Sequence, residues 1–263
     1  MLTTKHKISI AKLAQSSISA VRTLFTKEQN TIVTRKGLRW NLDLREGIDF
    51  AIYLLGGFEL ETRKAFARIV QPGMTVIDIG ANIGAHTLPL AAMLGDDGKL
   101  IAVEPTDWAF RKLKTNLALN SHIISRVTTV QAMLVGSSNE ALPDEIFSSW
   151  PLTAETTDDL HPIHLGRPMS TQGAKTITLD DLLQQLDISR VDVIKLDVDG
   201  FELGVLQGAQ GVISNNESIR IVMELAPSLF NRDDDEMGQI FRLLQSHGLV
   251  LTRLDNGASL PMT

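Results

Sequence analysis

Residues 76–87, VIDIGANIGAHT, constrain the fold more than any other stretch of this 263-residue chain. An apolar, β-branched run breaks into Asp78, Gly80, Asn82 and Gly84, and an apolar period then resumes with Ala85, Leu88, Leu90 and Ala91. That is the pattern of a buried strand, a tight turn and a helix. The chain beyond repeats it. Residues 99–103 and 127–134 read as a second and a third strand, separated by a helix over 107–120 that the Thr106/Asp107 cap signal opens. Residues 191–196 and 219–224 read as a fourth and a fifth strand flanking a helix over 202–212. A helix over 235–247 then leads to a last strand in LVLTRL, 249–254. Strand–helix units in series specify an α/β fold with a mostly parallel sheet and helices on both faces. Ligands of such sheets bind beyond the carboxyl ends of the strands, at the topological switch point.

Residues 1–56 read as an amino-terminal cap. The first 27 hold no acid and carry Lys5, Lys7, Lys12, Arg22 and Lys27 along an amphipathic helical pattern. That helix is expected to dock on the domain or on a second subunit, as a homodimer contact; a targeting segment and a membrane-surface helix are the alternatives. Two short strands follow in TIVTRKGLRWNLDLRE, turning at Lys36-Gly37. Residues 57–263 then make the ligand-binding domain, starting with a helix over 58–70 that Pro72-Gly73 ends. Residues 136–175 carry Pro143, Trp150, Pro151, Pro162 and Pro168 with no sustained period, and read as a long loop placed to act as an acceptor lid.

The first, second and fourth strands each end at an acid: Asp78, Glu104 and Asp197. Gly80 and Gly84 let a ligand approach the backbone and let the next helix pack closely. A phosphate-gripping P-loop would need Gly-Lys-Ser/Thr, whereas Gly84 is followed by Ala85-His86. A dinucleotide turn cradles a pyrophosphate, which Asp78 would repel. Glu104, followed by Pro105, is placed to accept hydrogen bonds from the hydroxyls of a ribose. An adenosine without phosphate, joined to a cationic sulfur and an ammonium group, meets every one of these conditions. That ligand is S-adenosylmethionine.

Composition closes off other chemistries. With no Cys there are no disulfides, no thiolate metal centres and no cysteine nucleophile, which fits a cytoplasmic protein. A formal charge of −6 gives no global attraction to nucleic acid. No apolar run approaches the roughly 20 residues needed to span a bilayer, so no transmembrane segment is expected.

TVIDIGANIGAHT, IAVEPTDWAFRKLKTNLALN and TITLDDLLQQLDISRVDVIKLDVDGFELGVLQGAQGVI together resemble the FkbM family of class I S-adenosylmethionine-dependent methyltransferases. The resemblance implies a Rossmann-like, seven-stranded sheet and methylation of a hydroxyl on a carbohydrate, a glycan or a secondary metabolite. It further implies that Asp78, Gly80, Ala81, Asn82 and Gly84 line the methionine part of the cofactor and that Glu104 holds the ribose. Ala132 and Met133, beside Gln131, would lie near the adenine, and Asp197 would face the donor's amino group or the transfer site. Asp199 stands where the family more often has Glu.

An alcohol is a poor nucleophile until it loses its proton, so a general base is sought, and Asp197, Asp199, Glu202, His161 and His164 are the candidates. Asp197 and Asp199 lead as catalytic residues, because Glu202 can simply open a helix and HPIH is a loop pattern. Glu59, just ahead of a helix, is a further candidate for the donor's amino group. Asp197, Asp199 and Glu224 could together hold Mg²⁺, but a metal is not expected. Two rival readings remain: a nicotinamide-dependent oxidoreductase, which would need a third, phosphate-binding glycine and a Tyr/Lys or His proton donor, the only Tyr being Tyr53 outside the sheet core, and a non-catalytic cofactor-binding protein.

Overall fold

Five short β-branched runs pair edge to edge into one parallel sheet. In the computed structural model, which describes residues 30–152, 166–225 and 235–260, these are β3 (Thr75–Ile79), β4 (Lys99–Val103), β5 (Val127–Val130), β10 (Val193–Leu196) and β11 (Arg220–Met223). Their spatial order is β11-β10-β3-β4-β5. The order reverses on either side of β3, which puts the switch point of a Rossmann-like sheet at its carboxyl end. Among the described residues the sheet has five of the seven expected strands. LVLTRL makes only an isolated bridge, Thr252 to Ser259, on exposed chain, and the leading helix of the cap, His161 and His164 lie outside the described residues.

Alternation along each strand divides the interior in two. Val76, Leu100, Ala102 and Val193 face one cluster, while Ile77, Ile79, Ile101, Val103, Ile194 and Leu196 face the other. The first cluster is covered by α3 (Thr87–Met93), α4 (Asp107–Ala118) and the amino-terminal hairpin β1 (Asn30–Arg35) with β2 (Leu38–Asp43). Beyond that hairpin come α1 (Gly47–Leu55) and α2 (Leu60–Ile69), and α5 (Ser121–Ile124) follows α4. The second cluster takes α6 (Leu179–Gln185), α7 (Glu202–Gln207), α8 (Gln210–Asn215) and α9 (Glu236–Ser246). The helix expected over 202–212 is thus two, broken at Gly208. There an added Cβ would meet Val135 O at 2.1 Å, so the backbone passes too close for a side chain.

Two asparagines, one on α4 and one between α4 and α5, dock the hairpin. Asn116 Oδ1 accepts from Asn41 N, and Asn120 both accepts from Arg39 N and donates to Arg39 O, which satisfies the free edge of β2. The described parts of the long connection, 136–152 and 166–175, hold strands that the sequence reading did not expect. The expected third strand divides into β5 and β6 (Ala132–Leu134), and β6 pairs in parallel with β9 (Lys175–Ile177). Between these, β7 (Glu145–Ser149) and β8 (Arg167–Ser170) form an antiparallel hairpin. Proline breaks neither β7 nor β8: Pro143 precedes β7, and Pro168 sits in a two-stranded ladder with no inner neighbour.

Candidate functional site

Asp78 and Lys195 are cross-strand neighbours on β3 and β10 and share the sheet face that carries Val76 and Val193. Two opposite charges side by side on an apolar face must pair. Lys195 Nζ lies 3.5 Å from Asp78 Oδ1 and 3.2 Å from Asp197 Oδ2, and it donates to Gly80 O at 2.8 Å and Ile79 O at 3.2 Å. Burial works against this ammonium, but Asp197 and Asp78 hold its pKa above the ordinary lysine value. The lysine therefore ties the glycine turn to the next strand.

Gly80 has φ +73°, and a Cβ there would sit 1.9 Å from Asp197 O. Only glycine brings the two strand ends so close. Gly84 serves packing: at φ +92° its added Cβ would strike Leu88 and Leu113. Asp78 itself lies beneath the turn, fully buried, with Oδ2 accepting from Thr87 Oγ1 at 2.6 Å and Oδ1 accepting no hydrogen bond.

Glu104, also buried, organises the neighbouring turn. Its Oε1 accepts from Thr106 N and Oγ1 and its Oε2 from Asn82 N, while burial still holds the carboxyl above its usual range. Those three donors leave about one acceptor position free. The β7–β8 hairpin closes on this rim: Asn82 Nδ2 donates to Ser148 O at 2.8 Å, Ser148 Oγ donates to Thr106 Oγ1 at 3.0 Å, and Ser149 Oγ donates to Glu46 Oε2. Gly47 N donates to Trp150 O, clasping the insert to the cap. Trp108 and Trp150 thereby line one small cavity with Asn82 and Asp49. Ala81, Ala132 and Met133 are all buried, the last two on β6.

Beyond β10 the turn 197–201 holds Asp199 at φ +48° and Gly200 at +105°. Glu202 fixes it by accepting from Val198 N at 3.2 Å and Gly200 N at 3.0 Å, so this acid shapes the turn from within α7. Asp199 is pushed up to about 7, by burial first and then by the charges of Asp197 and Glu202. Asp197 and Glu59 have side chains 28% exposed, so both reach the mouth of the site. Glu59 stands 3.2 Å from His86 Nε2, and although burial opposes it, His86 and then Lys195 hold its carboxyl below the usual range. His86 Nδ1 is buried without a partner.

The Methyltransferase FkbM domain matches residues 78–251. This chain belongs to the FkbM methyltransferase family. It is 28% identical to the hexuronic acid methyltransferase AglP of Haloferax volcanii over 141 residues, 52% of this chain and 51% of that protein. It is 30% identical to the methyltransferase sdnD of Sordaria araneosa over 156 residues, 51% of this chain and 59% of that protein. The chain spans little more than half the length of these two relatives. Among solved structures it is similar to the precorrin-6y C5,15-methyltransferase of Geobacter metallireducens, with a TM-score of 0.42, 14% identity, and coverage of 73% of this chain and 74% of that one.

In this FkbM-family chain the geometry gathers Glu59, Asp78, Gly80, Asp197 and Asp199 at one sheet edge and places Asn82 and Glu104 on the adjoining rim. Sequence reasoning missed the central role of Lys195 and the contacts of Ser148 and Thr106. The lysine had a signal, a lone charge on an apolar strand facing Asp78. Ser148 had none, because it lies 42 residues from Thr106, the hydroxyl it meets. Among the described residues no group of three His, Asp or Glu side chains is arranged to hold a metal ion, and no helix is long and apolar enough to cross a membrane.

Proposed function

We propose that this chain is an S-adenosylmethionine-dependent O-methyltransferase acting on a hydroxyl of a carbohydrate, glycan or secondary metabolite. The observation that carries the reading is the glycine turn at the switch point, drawn against Asp197 and clamped by Lys195, with carboxylates on both sides of it. The donor set fits the cofactor. Asp78 Oδ1 is a buried acceptor with no hydrogen bond, and Glu104 retains an acceptor position beside Asn82.

Glu59 and Asp197 would meet the donor's positive groups, Gly80, Ala81, Asn82 and Gly84 would shape the turn around its methionine part, Glu104 would accept from a ribose hydroxyl, and Ala132 and Met133 would flank the adenine. When bound, S-adenosylmethionine supplies a methyl carbon whose bond to a sulfonium breaks with the electron pair remaining on sulfur. Asp199 would take the proton that the acceptor hydroxyl loses as its oxygen receives that methyl group. A carboxyl near 7 is half ionised at neutral pH, so it can both accept that proton and release it to water. Asp197, already engaged by Lys195 at 3.2 Å, is better suited to orienting the donor. Proximity supplies much of the remaining acceleration.

Calorimetric titration tests the reading. Micromolar binding of S-adenosylmethionine is expected, weakened at least tenfold, or about 1.4 kcal/mol, by Asp197→Asn and by Glu104→Gln. Binding of NAD⁺ in place of the methyl donor would move the assignment to hydride transfer, for which Tyr53 is badly placed. It lies on α1, engaged through its carbonyl and ring by Arg35.

A further inference from the structure

His86 is buried beside the site, and the methyl-transfer step makes no use of it. It links the glycine turn to α3, and its ring is wedged between two phenylalanines. Phe58, just ahead of α2, lies 6.1 Å away between centroids, and Phe66, within α2, meets it edge-on at 5.7 Å. Packing on both sides fixes the direction of the imidazole, whose Nε2 lies 3.2 Å from Glu59 Oε2.

The chemistry of the two groups decides which one donates. An ionised carboxylate can only accept, and although burial opposes it, the bond from His86 holds the Glu59 carboxyl below its usual range. Nε2 therefore carries the hydrogen. Nδ1 is buried without a partner, so a second hydrogen there would be an unsatisfied donor, and the neutral Nε2–H form is favoured.

Glu59 is held in its backbone as well. It has a φ of +44°, left-handed for a residue with a Cβ, immediately before α2. Such strain persists where the surroundings over-determine a position. The next residue along repeats the arrangement on another acid: Thr87 Oγ1 donates to Asp78 Oδ2 at 2.6 Å. Consecutive residues at the start of α3 thus hold two carboxylates, one ahead of α2 and one on β3. A part-exposed glutamate left alone would sample many rotamers, and ordering it would weaken any ligand that needs it.

Resting on the methyl-transfer reading above, we propose that His86 is a positioning residue: by donating from Nε2 it holds the Glu59 carboxylate in the pose that receives the ammonium of the methyl donor. Thr62, also bonded to that carboxylate, is the lesser restraint. The imidazole itself stays behind Glu59 and acts through it.

The test titrates S-adenosylmethionine into the full chain and into Glu59→Gln, His86→Met, His86→Gln and the Glu59→Gln/His86→Met double variant, by calorimetry. Methionine and glutamine both fill the slot between the phenylalanines, but only glutamine can donate to Glu59. Glu59→Gln is expected to weaken donor binding about tenfold and His86→Met about fivefold, with the double variant within about twofold of Glu59→Gln alone. His86→Gln should stay within about threefold of the parent. A histidine that merely packs would give losses that multiply, and would treat methionine and glutamine alike. NMR of the histidine-labelled parent adds a readout that needs no variant to fold: the ring assigned by its contacts with Phe58 and Phe66 should carry its hydrogen on Nε2 near neutral pH.

A hydrogen on Nδ1, binding by His86→Gln as weak as by His86→Met, multiplying losses in the double variant, or parent-like binding by Glu59→Gln or His86→Met would each overturn the proposal and leave the methyl-transfer reading in place. Absent donor binding by the parent would sink that reading and this inference with it.

Discussion

Asp199→Asn should make the protein more stable above neutral pH while removing its proton acceptor. The carboxyl is raised from 3.8 to about 7, with burial and the neighbouring Asp197 and Glu202 as the leading causes. Between those two values the folded chain binds a proton that the unfolded chain has released, so stability falls as pH rises through the window, and the whole deficit is present above 7. A displacement of about three pH units corresponds to about 4 kcal/mol. Partial solvent access brings the expected gain at pH 8 to roughly 1–3 kcal/mol. Asparagine keeps the shape, and it tolerates the left-handed conformation that Asp199 adopts at φ +48°. Urea denaturation of both chains at pH 5 and pH 8 reads the effect. The variant's advantage should widen by about 1–2 kcal/mol between them, equivalent to several degrees in Tm at pH 8. A constant difference across that range, or a variant less stable than the parent at pH 8, would refute the account of the acid turn.

Gly80→Ala should cost more than about 4 kcal/mol in chemical denaturation, because its Cβ would sit 1.9 Å from Asp197 O; Gly73→Ala, with φ +84° and open space around it, should cost only about 1–2 kcal/mol. Similar losses for the two would mean that the close approach of β3 to β10 is not rigid. Lys195→Met should lower stability by about 3–5 kcal/mol, since it removes the buried counter-charge of Asp78 and strips a donor from Gly80 O and Ile79 O. A denaturation midpoint within error of the parent's would show that the clamp contributes nothing.

The sheet was legible because its signals are local. Each strand is a short apolar run, and the alternation that sorts Val76 from Ile77 and Leu100 from Ile101 between the two cores is written in consecutive residues. The acids at strand ends were legible for the same reason. Contacts between distant segments were not. Nothing near Ser148 indicates that its carbonyl will receive Asn82 Nδ2 from 66 residues away, and the prolines around β7 and β8 hide a hairpin that pairs with nothing else. Glu104 was legible as an acid at a strand end, but not as one already holding three donors from Thr106 and Asn82. The helix over 202–212 was overdrawn because its period runs through Gly208, where the Val135 carbonyl, distant in sequence, passes too close for a side chain.

The same bonds that shape the site also hold the molecule together. Asn116 joins the glycine turn to the cap by donating to Ile83 O while accepting from Asn41 N, and Asn82 joins that turn to the inserted hairpin through Ser148. The hairpin in turn grips the cap at Gly47 and Glu46. Displacing any one of these partners leaves buried polar groups of the other two segments unsatisfied, at roughly 1–3 kcal/mol each. The cap, the turn and the insert therefore set one another's positions, and a ligand that occupies the rim between Asn82 and Glu104 acts on all three at once.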